Sequence, residues 1–181
     1  MRFMRIALLS AVLSASVGAL ATHAAETATA PAATSPKTNT KEYNVAADKL
    51  AIAGYDPVSY FKGGPAEGKK EFTTQLDGIF YRFANADNKK AFDAEPQKYK
   101  PAYGGWCATA MAEGKKVEID PKNYKITNGR LFLFFKAWYA NAINDWNKDE
   151  KGMTAKADAA WKSISGEVSG APSTMPAAPH P

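Results

Sequence analysis

Apolar and polar residues alternate along two stretches of the chain, residues 71–83 and 124–135. Each stretch is interrupted near its middle by a pair that favours a tight turn, Asp-Gly at 77–78 and Asn-Gly at 128–129. Both central residues of a type I′ turn take positive φ, which glycine, asparagine and aspartate tolerate best. The pattern therefore predicts two antiparallel β-hairpins.

Helical patterns are found in four segments, near residues 86–95, 106–113, 137–147 and 153–164. Asn85 is placed to cap the first of these helices and Pro96 to stop it. In the third segment Trp138, Ala142 and Trp146 recur at four-residue steps. This spacing predicts an amphipathic helix with its tryptophans packed inward, and the fourth segment repeats it.

Strand pairs mixed with short helices, without a regular β-α-β alternation, indicate the α+β class. We expect a single small domain over residues 41–164, with a small antiparallel sheet of hairpins packed by short helices. The flanking segments 25–40 and 165–181 are rich in small residues and proline and lack apolar periodicity. Such segments bury too little apolar surface to order themselves, so we expect both to be disordered.

The first 24 residues have the layout of a secretory signal peptide. Arg2 and Arg5 form a basic start, an apolar run covers residues 6–21, and small residues follow at a cleavage point near Ala24. The apolar run is interrupted by serines and is shorter than the ~20 apolar residues that a membrane span needs. We therefore expect a periplasmic or secreted protein whose mature form has no membrane span.

The charge pattern argues against a nucleic-acid partner. The formal net charge is +5, from 23 basic and 18 acidic residues. Basic pairs such as Lys69-Lys70 have carboxylates close by in the sequence, so no basic stripe forms. We expect a soluble surface of mixed charge.

The histidine and cysteine content excludes several chemistries. His23 and His180 lie outside the predicted domain, and Cys107 is the single cysteine. A Cys-His nucleophile pair and a zinc site of cysteine and histidine ligands are thereby excluded. Haem-attachment, CxxC, nucleotide-binding and serine-hydrolase motifs are absent from the sequence. The sequence points away from an enzyme, although an enzyme built on carboxylates and tyrosines stays open as an alternative.

Three segments resemble a known family: GYDPVSYF at 54–61, the predicted hairpin strand and helix at 80–99, and 103–135, which begins YGGWCATAM. Together they resemble the exported, single-domain YHS-domain proteins of bacteria, over about residues 51–161. The resemblance implies a small binding or accessory module without catalysis of its own.

The wider YHS family is similar to the metal-binding TRASH-like modules, whose ligands are cysteines. Laid on this chain, the positions of those cysteines fall at Ser59, Ala84 and Asn88. None of these three side chains is a soft-metal ligand. The metal-binding role of the wider family is therefore not implied for this chain.

Cys107 follows two glycines and lies at the start of the predicted helix over 106–113. One interpretation is packing under Trp106 or Tyr103, because an unpaired cysteine behaves as a small hydrophobe. A second is a functional thiol, because a helix N-terminus favours the thiolate. Met111, one helical turn further on, would then add a thioether to a Cu(I)-type site, so copper is the one cofactor left open. A third interpretation is an intermolecular disulfide.

A ligand pocket is the remaining prediction, with candidate lining residues Tyr55, Asp56, Tyr103, Trp106 and Cys107. Aromatic residues beside glycines can line a small-molecule pocket, but they can equally fill the core. Three functions stay open. The favoured one is a binding or accessory module whose partner is a small molecule or another protein. The others are a thiol-dependent redox or soft-metal protein that uses Cys107, and the carboxylate–tyrosine enzyme.

Overall fold

Two β-hairpins form where the sequence alternates. The computed structural model describes residues 39–169, in which β1 (Lys69–Leu76) pairs antiparallel with β2 (Ile79–Phe83), and β3 (Asp120–Thr127) pairs with β4 (Arg130–Phe134). The four turn residues all have positive φ, between 51° and 81°. Asp-Gly and Asn-Gly pairs favour this conformation, and both predicted hairpins are confirmed.

The strand β2 has one face in the core and one face outside. Its inward residues are at most 2% exposed: Ile79, Tyr81 and Phe83. Phe80 and Arg82, on the opposite face, are half-buried. The outer edge of β2 is covered by an earlier segment, because the Ala51 N–H donates to the Phe80 carbonyl and the Phe80 N–H donates to the Lys49 carbonyl, each at 2.9 Å.

The described residues contain the helices α1 (Ala86–Ala94), α2 (Pro96–Tyr99), α3 (Ala108–Met111), α4 (Ile143–Trp146) and α5 (Glu150–Ser165). Asn85 caps α1 as predicted, since its side-chain oxygen accepts from the Asn88 N–H at 2.8 Å. Asp149 caps α5 through the Gly152 N–H at 2.9 Å. Pro96 follows the end of α1 and begins α2, a position where its missing N–H costs no hydrogen bond.

Single 3-10 turns occur at Thr40–Glu42, Ile52–Gly54, Ser59–Phe61 and Ala102–Gly105. The predicted helices over 86–95 and 153–164 are confirmed as α1 and α5. The helix predicted over 106–113 is shorter, a single turn that corresponds to α3.

The helix predicted over 137–147 is wrong in its first half. That half is a third hairpin, β5 (Lys136–Ala137) with β6 (Ala140–Asn141). Trp138 lies in its turn and is 96% exposed instead of packed inward. A tertiary contact explains the difference: the Asn123 amide donates to the Phe135 carbonyl at 3.1 Å and to the Asn141 side-chain oxygen at 2.8 Å. These bonds hold the segment extended and override its helical spacing.

Aromatic rings form the core between the hairpins and the helices. Phe92 of α1 packs against Tyr81 and Phe83 of β2, with ring centroids 4.8 and 5.1 Å away. Trp146 of α4 packs against Phe132 of β4 at 5.1 Å. The predicted α+β class is confirmed, although the described residues form three separate two-stranded sheets instead of one small sheet.

The described structure extends past the predicted domain boundary at residue 164. The Glu167 carboxylate accepts from the Tyr43 hydroxyl at 2.8 Å and from the Asn39 N–H at 2.7 Å. Residues 165–169, assigned to the tail from sequence, therefore pack on the domain. The predicted signal peptide and the segments 25–38 and 170–181 lie outside the described residues. None of the helices within 39–169 has the length and apolar character that crossing a membrane requires.

Candidate functional site

Cys107 lies in the core, between the 3-10 turn Ala102–Gly105 and the start of α3. Its side chain is 1% exposed, and Met111, one turn later, is 0% exposed. The Cys107 N–H donates to the Val117 carbonyl at 3.0 Å, and the residue forms a parallel bridge with Leu133 of β4. The thiol is thus buried, as the packing interpretation expects. The one-turn α3 offers little of the helix dipole that the thiolate interpretation requires.

The glycines before Cys107 allow the chain to pass close to α5. Tyr103 and Gly104 both have positive φ, 56° and 60°. A Cβ at Gly104 would lie 2.7 Å from the Trp161 ring, nearer than side-chain atoms approach. The two glycines therefore allow a close contact between the backbone and α5, and Cys107, which follows them, lies in the core.

Tyr103 is held by an ion pair between β4 and α5. Its hydroxyl donates to the Asp158 carboxylate at 3.0 Å, and Arg130 donates to the same carboxylate at 2.6 Å. The Tyr103 N–H donates to the Ser169 hydroxyl at 3.1 Å. Burial, reinforced by the Asp158 charge, raises the pKa of Tyr103 above its ordinary value. The phenol therefore stays protonated near neutral pH and is not poised to act as a base.

Trp106 is half-buried and bonded to the start of the described chain. Its indole N–H donates to the Glu42 carbonyl at 2.6 Å, and its backbone N–H donates to the Tyr103 carbonyl at 3.1 Å. The Lys116 ammonium lies 5.9 Å from the ring centroid. The polar atom of this ring is already satisfied within the domain.

The Asp56 carboxylate is fully buried and accepts hydrogen bonds on both oxygens. One oxygen accepts from the backbone N–H groups of Val58 and Ser59, at 2.8 and 3.3 Å. The other accepts from the Ala84 N–H at 3.0 Å and from the Asn88 amide at 2.6 Å. This network joins the turn after Asp56 to the entry of α1. Its geometry is that of a structural anchor whose acceptor positions are taken by protein donors.

The Asn88 amide continues the Asp56 network to a cation. Its side-chain oxygen accepts from the Lys62 ammonium at 2.9 Å. Tyr55, next to Asp56, is only half-buried, and its hydroxyl lies 3.5 Å from the Glu67 carboxylate. Among the described residues, Tyr55 and Asp56 therefore share no hydrogen-bond partner with Tyr103, Trp106 or Cys107. The predicted pocket residues fall into two separate groups.

A depression that the sequence reasoning missed lies on the outer face of β1 and β2. It encloses about 310 Å³ and is lined by Asp48, Leu50, Lys70, Thr73, Phe80 and Arg82. The alternation of β2 is a signal that could have placed Phe80 and Arg82 on the outward face. The contribution of residues 48–50 could not be found that way, because it depends on their pairing with β2.

A copper site at Cys107 would have to form inside the core. Cys107 and Met111 would supply two soft ligands, and both are enclosed in the core. Among residues 39–169, no three His, Cys, Asp or Glu side chains are grouped so that they could hold a metal ion. A metal ion could reach the thiol only if the core opened.

Comparison of the chain with protein-family models, with curated proteins and with solved structures finds no match.

Proposed function

We propose that this chain is an exported binding module of the YHS type, without catalysis of its own, in which Cys107 is a packing residue. The observation that carries the proposal is the enclosure of the single thiol, 1% exposed beside a fully buried Met111. A thiol must be accessible to exchange with disulfides or to capture a metal ion. The export part of the proposal rests on the signal-peptide layout of residues 1–24.

The spatial arrangement of three sequence positions supports the YHS part of the proposal. Because metal ligands surround one ion, the positions that replace them in a YHS-type fold should lie close together. Ser59, Ala84 and Asn88 all donate a hydrogen bond to the Asp56 carboxylate. Two of these donors are the backbone N–H groups of Ser59 and Ala84 and the third is the Asn88 side-chain amide, so the three positions lie around one buried carboxylate.

Replacing Cys107 with serine is expected to leave metal binding unchanged and to destabilise the protein. The free energy of unfolding should fall by about 1–3 kcal/mol, because a hydroxyl replaces a small hydrophobe in the core. Denaturant unfolding measures the stability. Metal content is measured after incubation of the mature protein with Zn²⁺ or, under reducing conditions, with Cu(I). Met111→Leu is the matched variant, since it removes the thioether and keeps the side-chain volume.

Two results would contradict this proposal. Stoichiometric zinc in the wild-type protein, lost in Cys107→Ser without loss of stability, would make the thiol a metal ligand. Cu(I) bound by the wild type and lost in both variants would establish the soft-metal function in its place. Equal metal content in all three proteins supports the proposal.

A further inference from the structure

We infer that the depression outside β1 and β2 is the ligand site, and that its ligand is a compact organic monoanion with an apolar body. This inference rests on the proposed binding function and gives it a location away from Cys107. A volume of about 310 Å³ is at the lower end of the range for small-molecule pockets. A single-ring carboxylate has this size and this charge.

The depression presents two cations without an acceptor. Within residues 39–169, neither the Lys70 ammonium nor the Arg82 guanidinium has a hydrogen-bond or ion-pair partner, although Arg82 is half-buried. Other cations of the domain, such as Lys89 and Lys125, are paired with carboxylates. A guanidinium held partly out of water without a counter-charge favours an anionic ligand, and it can bind a carboxylate through two parallel hydrogen bonds.

Two glycines lie beside Arg82. A Cβ at Gly68 would lie 2.5 Å from the Arg82 backbone, so that only glycine allows this approach. A Cβ at Gly54 would lie 3.8 Å from a terminal nitrogen of the guanidinium, which therefore lies beside bare backbone. The Gly68 N–H donates to the Gly54 carbonyl at 2.9 Å and ties the two segments together. The backbone of Arg82 is thus closely packed against Gly68 at the edge of the depression.

The floor of the depression is apolar, and its lining carries more positive than negative side chains. Leu50 and Phe80 supply the apolar surface, and two backbone hydrogen bonds tie Phe80 to the segment that carries Leu50. Asp48 adds one negative charge, and its carboxylate accepts from the Leu50 N–H at 3.1 Å. Two cations against one anion leave a single excess positive charge. That balance favours a monoanion over phosphates of higher charge, and the floor favours a ligand with a ring.

Benzoate is a suitable probe, with benzyl alcohol as its uncharged control. Titration of the ¹⁵N-labelled mature protein, followed by NMR, should shift the signals of Phe80 and Arg82 and give a saturable Kd. The Kd of benzyl alcohol should be at least about tenfold higher than that of benzoate. Arg82→Gln should weaken benzoate binding about tenfold and Lys70→Gln several-fold, because each removes a charge-assisted contact. Arg82→Lys should retain part of the affinity, and Lys90→Gln, on α1, should change nothing.

The inference is overturned if benzoate fails to shift the signals of the depression, or if Arg82→Gln and Lys70→Gln bind it as the wild type does. Equal binding of benzoate and benzyl alcohol would also overturn it, because the cations would then have no part in recognition. These results leave the proposed function intact. Metal bound through Cys107 would contradict that function and leave the depression unaffected, so the two failures are distinguishable.

Discussion

Replacing Asp56 with alanine is expected to lower the free energy of unfolding by about 3–5 kcal/mol, because it leaves buried donors without an acceptor. The carboxylate is 0% exposed and accepts four hydrogen bonds. Its loss strands the amide of Asn88 and the backbone N–H groups of Val58 and Ala84. Unfolding in urea, followed by circular dichroism, measures the change.

The matched control for Asp56 is Asp145, an exposed aspartate paired with Lys148 on the surface. Asp145→Ala should cost about 0.5 kcal/mol or less, since exposed ion pairs contribute little. Asp56→Asn should recover only part of the loss. The asparagine oxygen can still accept hydrogen bonds, but its NH₂ group would face N–H donors that need an acceptor. A cost below about 1 kcal/mol for Asp56→Ala would show that the network is dispensable.

Replacing Trp146 with alanine should be about as costly as the loss of Asp56, about 3–5 kcal/mol, whereas Trp138→Ala should cost about 0.5 kcal/mol or less. Trp146 is 0% exposed, packs on Phe132 and Phe134, and donates its indole N–H to Glu150 at 3.2 Å. Trp138 is 96% exposed in the turn between β5 and β6.

Thermal unfolding of the two tryptophan variants, compared with the wild type, separates the observed hairpin from a continuous helix. A helix over 137–147 would place both tryptophans on one inward face, and both variants would then be strongly destabilised. A large loss in Trp138→Ala would therefore contradict the hairpin.

The parts of the fold that were predicted correctly are those determined by short-range preferences. The turns at 77–78 and 128–129 follow from the conformational freedom of two adjacent residues. The start of α1 follows from the Asn85 side chain, which bonds within its own turn. The β5–β6 hairpin was missed because Asn123, from another strand, holds it. Helical spacing alone cannot reveal such a partner.

The same distinction between short-range and long-range contacts separates the correct from the missed predictions of the candidate site. The burial of Cys107 was expected from the chemistry of a single thiol. The hydrogen bonds that place Asp56 and Tyr103 in two different groups were not expected. They depend on residues distant in sequence, such as Asn88 and Asp158. The depression was missed for the same reason: residues 48–50 reach it only through the pairing of Leu50 with Phe80.

The most direct test of the account is the reactivity of the Cys107 thiol in the native protein. Opening of a well-packed core costs several kcal/mol, so reaction with a disulfide reagent such as DTNB should be at least about a hundredfold slower than for an exposed thiol. Lys90→Cys in a Cys107→Ala background supplies that exposed thiol on α1. Denaturant should bring the two rates together. A native Cys107 that reacts as fast as the thiol at position 90 would contradict the packing role and favour a thiol-dependent function.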